Sequence, residues 1–238
     1  MKTLTDFEFA ELATAVDSYR ELLCGVLGTG NALVATDTHR LHVTEYPNQP
    51  ELDEKQYQFT ATSTNTACRK KVASFRPDWE TQRYPDWKRV VPADWKDNEL
   101  NHVVSFEVPD ELLEFLKKIV SLSKEYTGHR LTVDTDVTSQ TMTCKLVNHN
   151  LSSTPSVSFQ VNCKVDDDFK FAVNMNYLFD AIRGVITRTT KPVVELRFNK
   201  DCFNYNQEYT RPIIVCEPIV ESDSYLRYAV VMPMTYSG

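Results

Sequence analysis

The amino-acid sequence predicts an α+β fold in which antiparallel sheets carry a few helices on one side. Three observations lead there. Short strand-like runs recur at 103–108, 142–147, 157–161 and 193–198. The second half orders its elements as strand, helix, strands and then repeats that order, which describes two similar halves. Over 238 residues, 42% are hydrophobic and 25% charged, the balance of a chain able to offset its ordering entropy by burial. At roughly 100–200 residues per domain, that length fits one large or two small domains. The expected division is 1–92 and 93–238.

In the first half, Phe9, Leu12, Ala13 and Val16 recur at helical spacing, so 7–19 reads as a helix with Asp6 as N-cap. The stretches 22–26 and 32–35 read as strands joined around Gly28-Thr29-Gly30-Asn31, where Gly and Asn accept the positive φ of a tight hairpin. A further strand is expected at 57–61. A short helix is expected over 66–75, with Cys68, Val72 and Phe75 inward and Arg69, Lys70 and Arg76 outward.

Between 76 and 95 the character changes. Pro77-Asp78-Trp79, Pro85-Asp86-Trp87 and Ala93-Asp94-Trp95 recur every eight residues. Turn chemistry and a true repeat both account for this, and the stretch is the candidate linker. Beyond it, Pro109 opens a helix. Leu112, Leu113, Leu116, Ile119 and Val120 form its core stripe, while Lys117, Ser121 and Lys124 share another face. Strands are expected at 131–133, 142–147 and 157–161. Phe171-Ala172-Val173 leads into a helix at 176–185, and strands follow at 193–198, 213–216 and 228–232.

Lys and Arg number 26 against 33 Asp and Glu, a net charge of -7. That balance argues against wrapping nucleic acid by bulk charge, though not against a local basic lining. The six cysteines include no CxxC pair and no His at zinc-ligand spacing. Buried reduced thiols in a cytoplasmic protein are the expectation. No secretory signal is visible, and the longest apolar run, 22–35, is broken by three glycines and is too short to span a bilayer. Gly28-Thr29-Gly30 lacks the third Gly and the Lys of a phosphate cradle. No cofactor and no metal are expected. Asp166-Asp167-Asp168 suits a cation, or more simply an exposed acidic loop.

Three strings stand out: Thr36-Asp37-Thr38-His39-Arg40-Leu41, Tyr84-Pro85-Asp86-Trp87-Lys88-Arg89-Val90-Val91-Pro92, and Tyr228-Ala229-Val230-Val231-Met232-Pro233-Met234. Each alone fits a loop or a core strand. Together, in this order and separation, they resemble the bacterial sliding clamp family, the beta subunit of the replicative DNA polymerase III. The resemblance covers most of the chain and corresponds to the second and third of that family's three domains. Residues 20–26 look like the strand before the first string, and Phe171-Ala172-Val173-Asn174-Met175-Asn176-Tyr177-Leu178 looks like the family's strand-to-helix entry.

The resemblance implies clamp-like domains with sheets outside and helices on the inner face. It implies a groove at a domain junction that receives short peptide tails of DNA polymerase, clamp loader and repair enzymes. Carried over, that groove uses Leu23, Thr36, Thr38, His39, Arg40, Leu41, Pro85, Arg89, Val90, Val230, Met232, Pro233 and Met234. Leu, Val and Met suit an adaptable apolar pocket, with His39, Arg40 and Arg89 at its rim. The resemblance also implies a ring around duplex DNA that contacts phosphates without reading bases. Six domains complete such a ring, so a two-domain chain implies self-association as a homotrimer. The implied DNA-facing residues are Arg69, Lys70, Arg76, Lys117, Lys118, Lys124, Arg183 and Arg188. The implied role is a processivity factor, not an enzyme.

Departures from the family pattern are also present. The first domain is shortened, and the first helix carries Glu8, Glu11 and Asp17. Thr38 stands where the family has Gly, and Thr235-Tyr236 where it has Arg-Leu. A compact, diverged member of this kind fits a phage or mobile element. The departures motivate a second reading, an adaptor or decoy that binds clamp-binding peptides without forming a DNA ring. A third reading, a small-molecule enzyme, rests only on His39, Asp37 and the Gly28-Thr29-Gly30 turn.

Overall fold

A computed structural model describes residues 3–15, 21–28, 31–48, 58–60, 84–99, 101–122, 130–146, 157–187, 190–200, 211–220 and 225–234. In chain order the elements are α1 (Asp6–Glu11), β1 (Val26–Gly28), β2 (Ala32–Thr36), β3 (Arg40–Glu45), β4 (Gln58–Thr60), β5 (Asn101–Glu107), α2 (Asp110–Leu122), β6 (Arg130–Asp136), β7 (Thr141–Leu146), β8 (Val157–Asn162), β9 (Lys170–Asn174), α3 (Met175–Val185), β10 (Val193–Asn199), β11 (Ile213–Cys216) and β12 (Leu226–Val231). Short 3₁₀ turns occupy Glu21–Cys24 and Trp87–Arg89. The architecture is α+β, as expected. The chain forms two compact units. An N-terminal unit takes Leu4–Val91 and Ile219–Val230, and a C-terminal unit takes Pro92–Pro218 and Val231–Gly238 with Met1–Thr3.

In the N-terminal unit the strands run in the order β4-β1-β2-β3-β12. β1 and β2 pair antiparallel with Leu27 opposite Val34, and β2 and β3 pair with Thr36 opposite Leu41. Helix α1 lies over β2 and β3, and its Ala10 packs with Ala13, Val26 and Ala35. The helix starts at Asp6, the residue expected to cap it, and Thr5 is the cap. Thr5 accepts the Glu8 amide at 3.2 Å while Glu8 accepts the Thr5 amide at 2.8 Å, a reciprocal capping box. Asp6 is used elsewhere, accepting from the Tyr46 hydroxyl at 2.7 Å and pairing with Arg227. The helix ends at Glu11, and by Ala15 the chain is bonded to Leu23, amide to carbonyl at 2.8 Å. The expected strand at 22–26 is a 3₁₀ turn followed by β1, because Leu23 and Cys24 bury against Ala15 rather than joining a ladder.

Strand β3 has no counterpart among the expected elements. Four consecutive residues, Leu41 to Thr44, are buried, so neither face alternates with solvent. Two of them are polar. His42 donates from Nδ1 to the Phe9 carbonyl at 2.8 Å and stacks on the Phe9 ring at 4.5 Å, which ties β3 to α1.

The C-terminal unit holds the antiparallel sheet β8-β7-β6-β9 and the antiparallel run β11-β10-β5. Helices α2 and α3 pack together. Leu112, Leu113, Leu116 and Ile119 are buried as their spacing requires, while Asp110, Glu111, Glu114, Lys117, Lys118 and Ser121 are exposed. Asn174 caps α3 by accepting the Asn176 amide at 2.9 Å.

The second and third Pro/Ala-Asp-Trp strings are turns, each with its Trp buried in its own unit. Around Trp95, the buried Arg197 donates to the carbonyls of Trp95 and Lys96 and to Asn98 Oδ1 at 3.3, 3.4 and 3.0 Å, and pairs with Glu195 at 2.7 Å. The acidic triplet serves as a loop clip. Asp166 meets His102 Nδ1 at 2.9 Å, and Asp168 accepts the Val137 amide at 2.7 Å. Among the described residues no cluster of His, Cys, Asp and Glu could hold a metal, and no helix is long and apolar enough to cross a membrane. Cys24, Cys144, Cys163 and Cys216 are buried and unbridged.

Candidate functional site

The first string is the β2–β3 turn, and its side chains build the turn. Thr36 donates its hydroxyl to the Arg40 carbonyl at 2.6 Å and accepts the Thr38 amide at 3.0 Å. Asp37 Oδ1 accepts the amides of His39 and Arg40 at 3.0 and 3.1 Å, and Oδ2 accepts Arg40 Nε at 3.0 Å. Thr38 has φ of 79°, the left-handed region that favours glycine. Thr38 and His39 are exposed by this geometry. Arg40 is folded back on Asp37, so its charge is engaged within the turn rather than offered at a rim.

The second string meets the first in the same unit. Tyr84 packs against the buried Ala15, Leu23 and Cys24. Thr36 and the Asp37 carboxylate lie near it. Burial pushes this phenol well above its ordinary range, and the Thr36 amide opposes that rise. Pro85 is exposed and Trp87 buried. Arg89 faces Asp86 at 3.8 Å, a solvated pair of little energetic value. Val90 stands 49% exposed.

The expected groove residues other than Arg40 therefore fall into three groups. Leu23, Leu41, Thr36 and Val230 are interior side chains of the N-terminal unit, with Leu41 only 2% exposed. Thr38, His39, Pro85, Arg89 and Val90 reach its surface. Met232, Pro233 and Met234 belong to the C-terminal unit. There Met234 donates its amide to Ala172 of β9 at 2.8 Å, and Met232 stands 39% exposed.

Of the basic candidates, Lys117 and Lys118 are exposed on α2. Arg183 pairs with Asp180 at 2.9 Å and lies over the Phe179 ring at 5.0 Å. Arg69, Lys70, Arg76, Lys124 and Arg188 lie outside the described residues. Sequence reasoning missed Asp37 and Tyr84 as organisers of the site. An Asp two and three residues ahead of the amides it caps was the available signal for Asp37. Tyr84 left none, because its partners lie far away in sequence.

No protein-family model matches the chain, and no curated protein matches it. Solved structures do. The chain is similar to the DNA polymerase III beta subunit of Thermotoga maritima, with a TM-score of 0.65 at 19% identity over 98% of this chain and 63% of that one. It is similar to the C. crescentus beta sliding clamp, at 0.64 and 18% over 97% and 63%. The Helicobacter pylori beta clamp bound to a DNA ligase peptide gives 0.64 at 15% over 97% and 62%. The chain thus spans less than two thirds of the length of these clamps. At such identities the likeness is one of fold. That fold is the one shared by bacterial DNA polymerase III beta clamps.

Proposed function

We propose that this chain is a DNA sliding clamp, a cytoplasmic non-enzymatic processivity factor that tethers a DNA polymerase through short peptide tails. One observation carries the reading. In a chain with the clamp fold, two strings far apart in sequence come together where Tyr84 lies near Thr36 and Asp37, and Thr38, His39, Pro85, Arg89 and Val90 of those strings are exposed. Met232, Pro233 and Met234 are the further contacts that the sequence resemblance adds. One or two apolar anchors of a tail, each worth roughly 1.5–3 kcal/mol when buried, leave micromolar-range affinity after the cost of association. Such binding suits partners that exchange, such as a polymerase and a clamp loader. The ring is proposed as a homotrimer around duplex DNA, with Lys117 and Lys118 among its phosphate contacts.

A second reading is favoured by a specific observation. The exposed face of α2 carries Asp110, Glu111 and Glu114 before its two lysines, and Arg183 is tied to Asp180. Among the described residues the candidate lining is thinly basic, which suits an adaptor or decoy that binds clamp-binding peptides and encircles nothing. Sedimentation at micromolar concentration, with retention on circular DNA in the presence of a clamp loader, separates the two. A three-chain mass with retention on closed circles supports the clamp. A monomer that binds peptide and is not retained supports the adaptor, and a protein that binds neither peptide nor DNA overturns both.

A further inference from the structure

The turn between β2 and β3 exposes Thr38 and His39 but keeps the next residue, a full positive charge, largely out of solvent. Arg40 has 11% of its side chain exposed, and Asp37, itself 14% exposed, accepts its Nε at 3.0 Å. The other oxygen of that carboxylate accepts the His39 and Arg40 amides at 3.0 and 3.1 Å, so Asp37 cannot swing away without opening the turn. Arg89 is the contrast. Its side chain is 83% exposed and faces Asp86 at 3.8 Å, a pair that water and salt screen. A guanidinium sheltered from water binds a carboxylate far better than one in the open. Arg40 is such a group, already supplied with its anion from within the turn.

We propose that Asp37 is a specificity-determining residue of the peptide slot: by holding Arg40 inside the turn it withdraws a sheltered cation from that surface, and the slot selects tails by their apolar anchors and not by acidic residues. This rests on the reading of that surface as a peptide slot. Asp37 touches no tail; it acts through Arg40. The substitution Asp37→Asn keeps an oxygen for the two backbone amides but sets an amide N–H group against Arg40 Nε, donor against donor. The guanidinium is then turned out toward any external carboxylate.

The test compares the parent chain with Asp37→Asn by fluorescence anisotropy. The probes are the DNA ligase peptide of the Helicobacter pylori clamp and copies of it lengthened by a pair of aspartates at either end. The parent should bind plain and acidic probes within about 2-fold of each other. Asp37→Asn should prefer an acidic probe by about 3- to 10-fold, the effect of one sheltered ion pair. That preference should vanish at about 0.5 M salt and when Asp37→Asn is combined with Arg40→Gln, readouts that a merely loosened turn does not produce. A folded Asp37→Asn that binds without preference overturns the inference and leaves the slot standing, as does a preference that survives Arg40→Gln. Should the parent bind no probe, the slot reading falls, and phenylglyoxal, which modifies accessible guanidinium groups, decides whether Asp37 masks Arg40. By mass spectrometry Arg40 should react severalfold more slowly than Arg89 in the parent, and severalfold faster in Asp37→Asn than in the parent. Equal rates for the two arginines in the parent, or an unchanged Arg40 rate in a folded Asp37→Asn, overturn the masking. If Asp37→Asn does not fold, the parent comparison decides alone.

Discussion

Asp37 and Arg40 close on each other within the β2–β3 turn, Oδ2 to Nε at 3.0 Å, with side chains 14% and 11% exposed. The same carboxylate accepts two backbone amides through Oδ1, so one side chain satisfies three donors. Asp37→Ala should cost about 2–4 kcal/mol in urea denaturation, since it leaves a largely buried guanidinium without its partner. Asp37→Asn should cost less, because its amide oxygen still accepts both backbone amides. A parent-like midpoint for Asp37→Ala would remove this account of the turn.

Thr38 holds a β-branched side chain at φ of 79°. Glycine occupies that region without a Cβ clash, although it also gives the unfolded chain more freedom. The strain term is the larger, so Thr38→Gly should raise stability by about 0.5–1 kcal/mol. A lowered melting temperature would contradict the assignment of strain.

Val90 of the N-terminal unit and Met232 of the C-terminal unit are the exposed apolar residues among those proposed for the peptide groove, at 49% and 39%. Val90→Glu and Met232→Glu should each weaken binding of the ligase peptide at least about tenfold, by losing one anchor and setting a charge against an apolar tail. Their circular dichroism and melting curves should match the parent. Leu41→Glu is a poor test, because a charge at an interior site of β3 unfolds the unit. Parent-like affinity in both surface variants counts directly against the slot.

Arg197 clasps the Trp95 turn to β10 through three acceptors of the turn, and pairs with Glu195 of its own strand. Arg197→Met keeps the volume but leaves those acceptors and the Glu195 charge unmatched. We expect a loss of about 3–5 kcal/mol and new protease cleavage within 94–99. Arg197→Lys should restore only part, since an ammonium cannot reproduce the guanidinium fork. Resistance of Arg197→Met to both denaturant and protease would show that the clasp is not needed.

Burial pushes the thiols of Cys144 and Cys216 from an ordinary 9.0 up to about 12, and raises the phenols of Tyr46, Tyr84 and Tyr228. The folded state therefore keeps protons that the unfolded chain releases first. With fewer protons bound by the unfolded form, stability falls as pH rises. It should be whole below about pH 9 and drain away between 9 and 12, a window set by the two thiols. Urea midpoints at pH 7.5, 9 and 10.5 test this, and a flat or rising series would contradict it.

Several elements were legible before the structure. Pro109 and the stripe from Leu112 to Ile119 marked α2, and the apolar run at 213–216 is β11 residue for residue. Those signals are local, written in spacing and backbone chemistry. α1 was overextended because Leu12, Ala13 and Val16 continued a helical spacing that the turn toward Leu23 interrupts. β3 was invisible because its buried His42 and Thr44 look like surface residues until Phe9 supplies a partner for the histidine.

The same division runs through the candidate site. Spacing, caps, turn residues and the order of the three strings are properties of neighbouring residues, and the sequence by itself determined them. Whether a given side chain in those strings lies inside or outside was decided only by tertiary structure. Leu41 and Val230 went to the interior, Val90 to the surface, and Arg40 to Asp37. Burial depends on which distant segment arrives to exclude water. Tyr84 beside Thr36 and Arg227 beside Asp6 are meetings that no local pattern encodes.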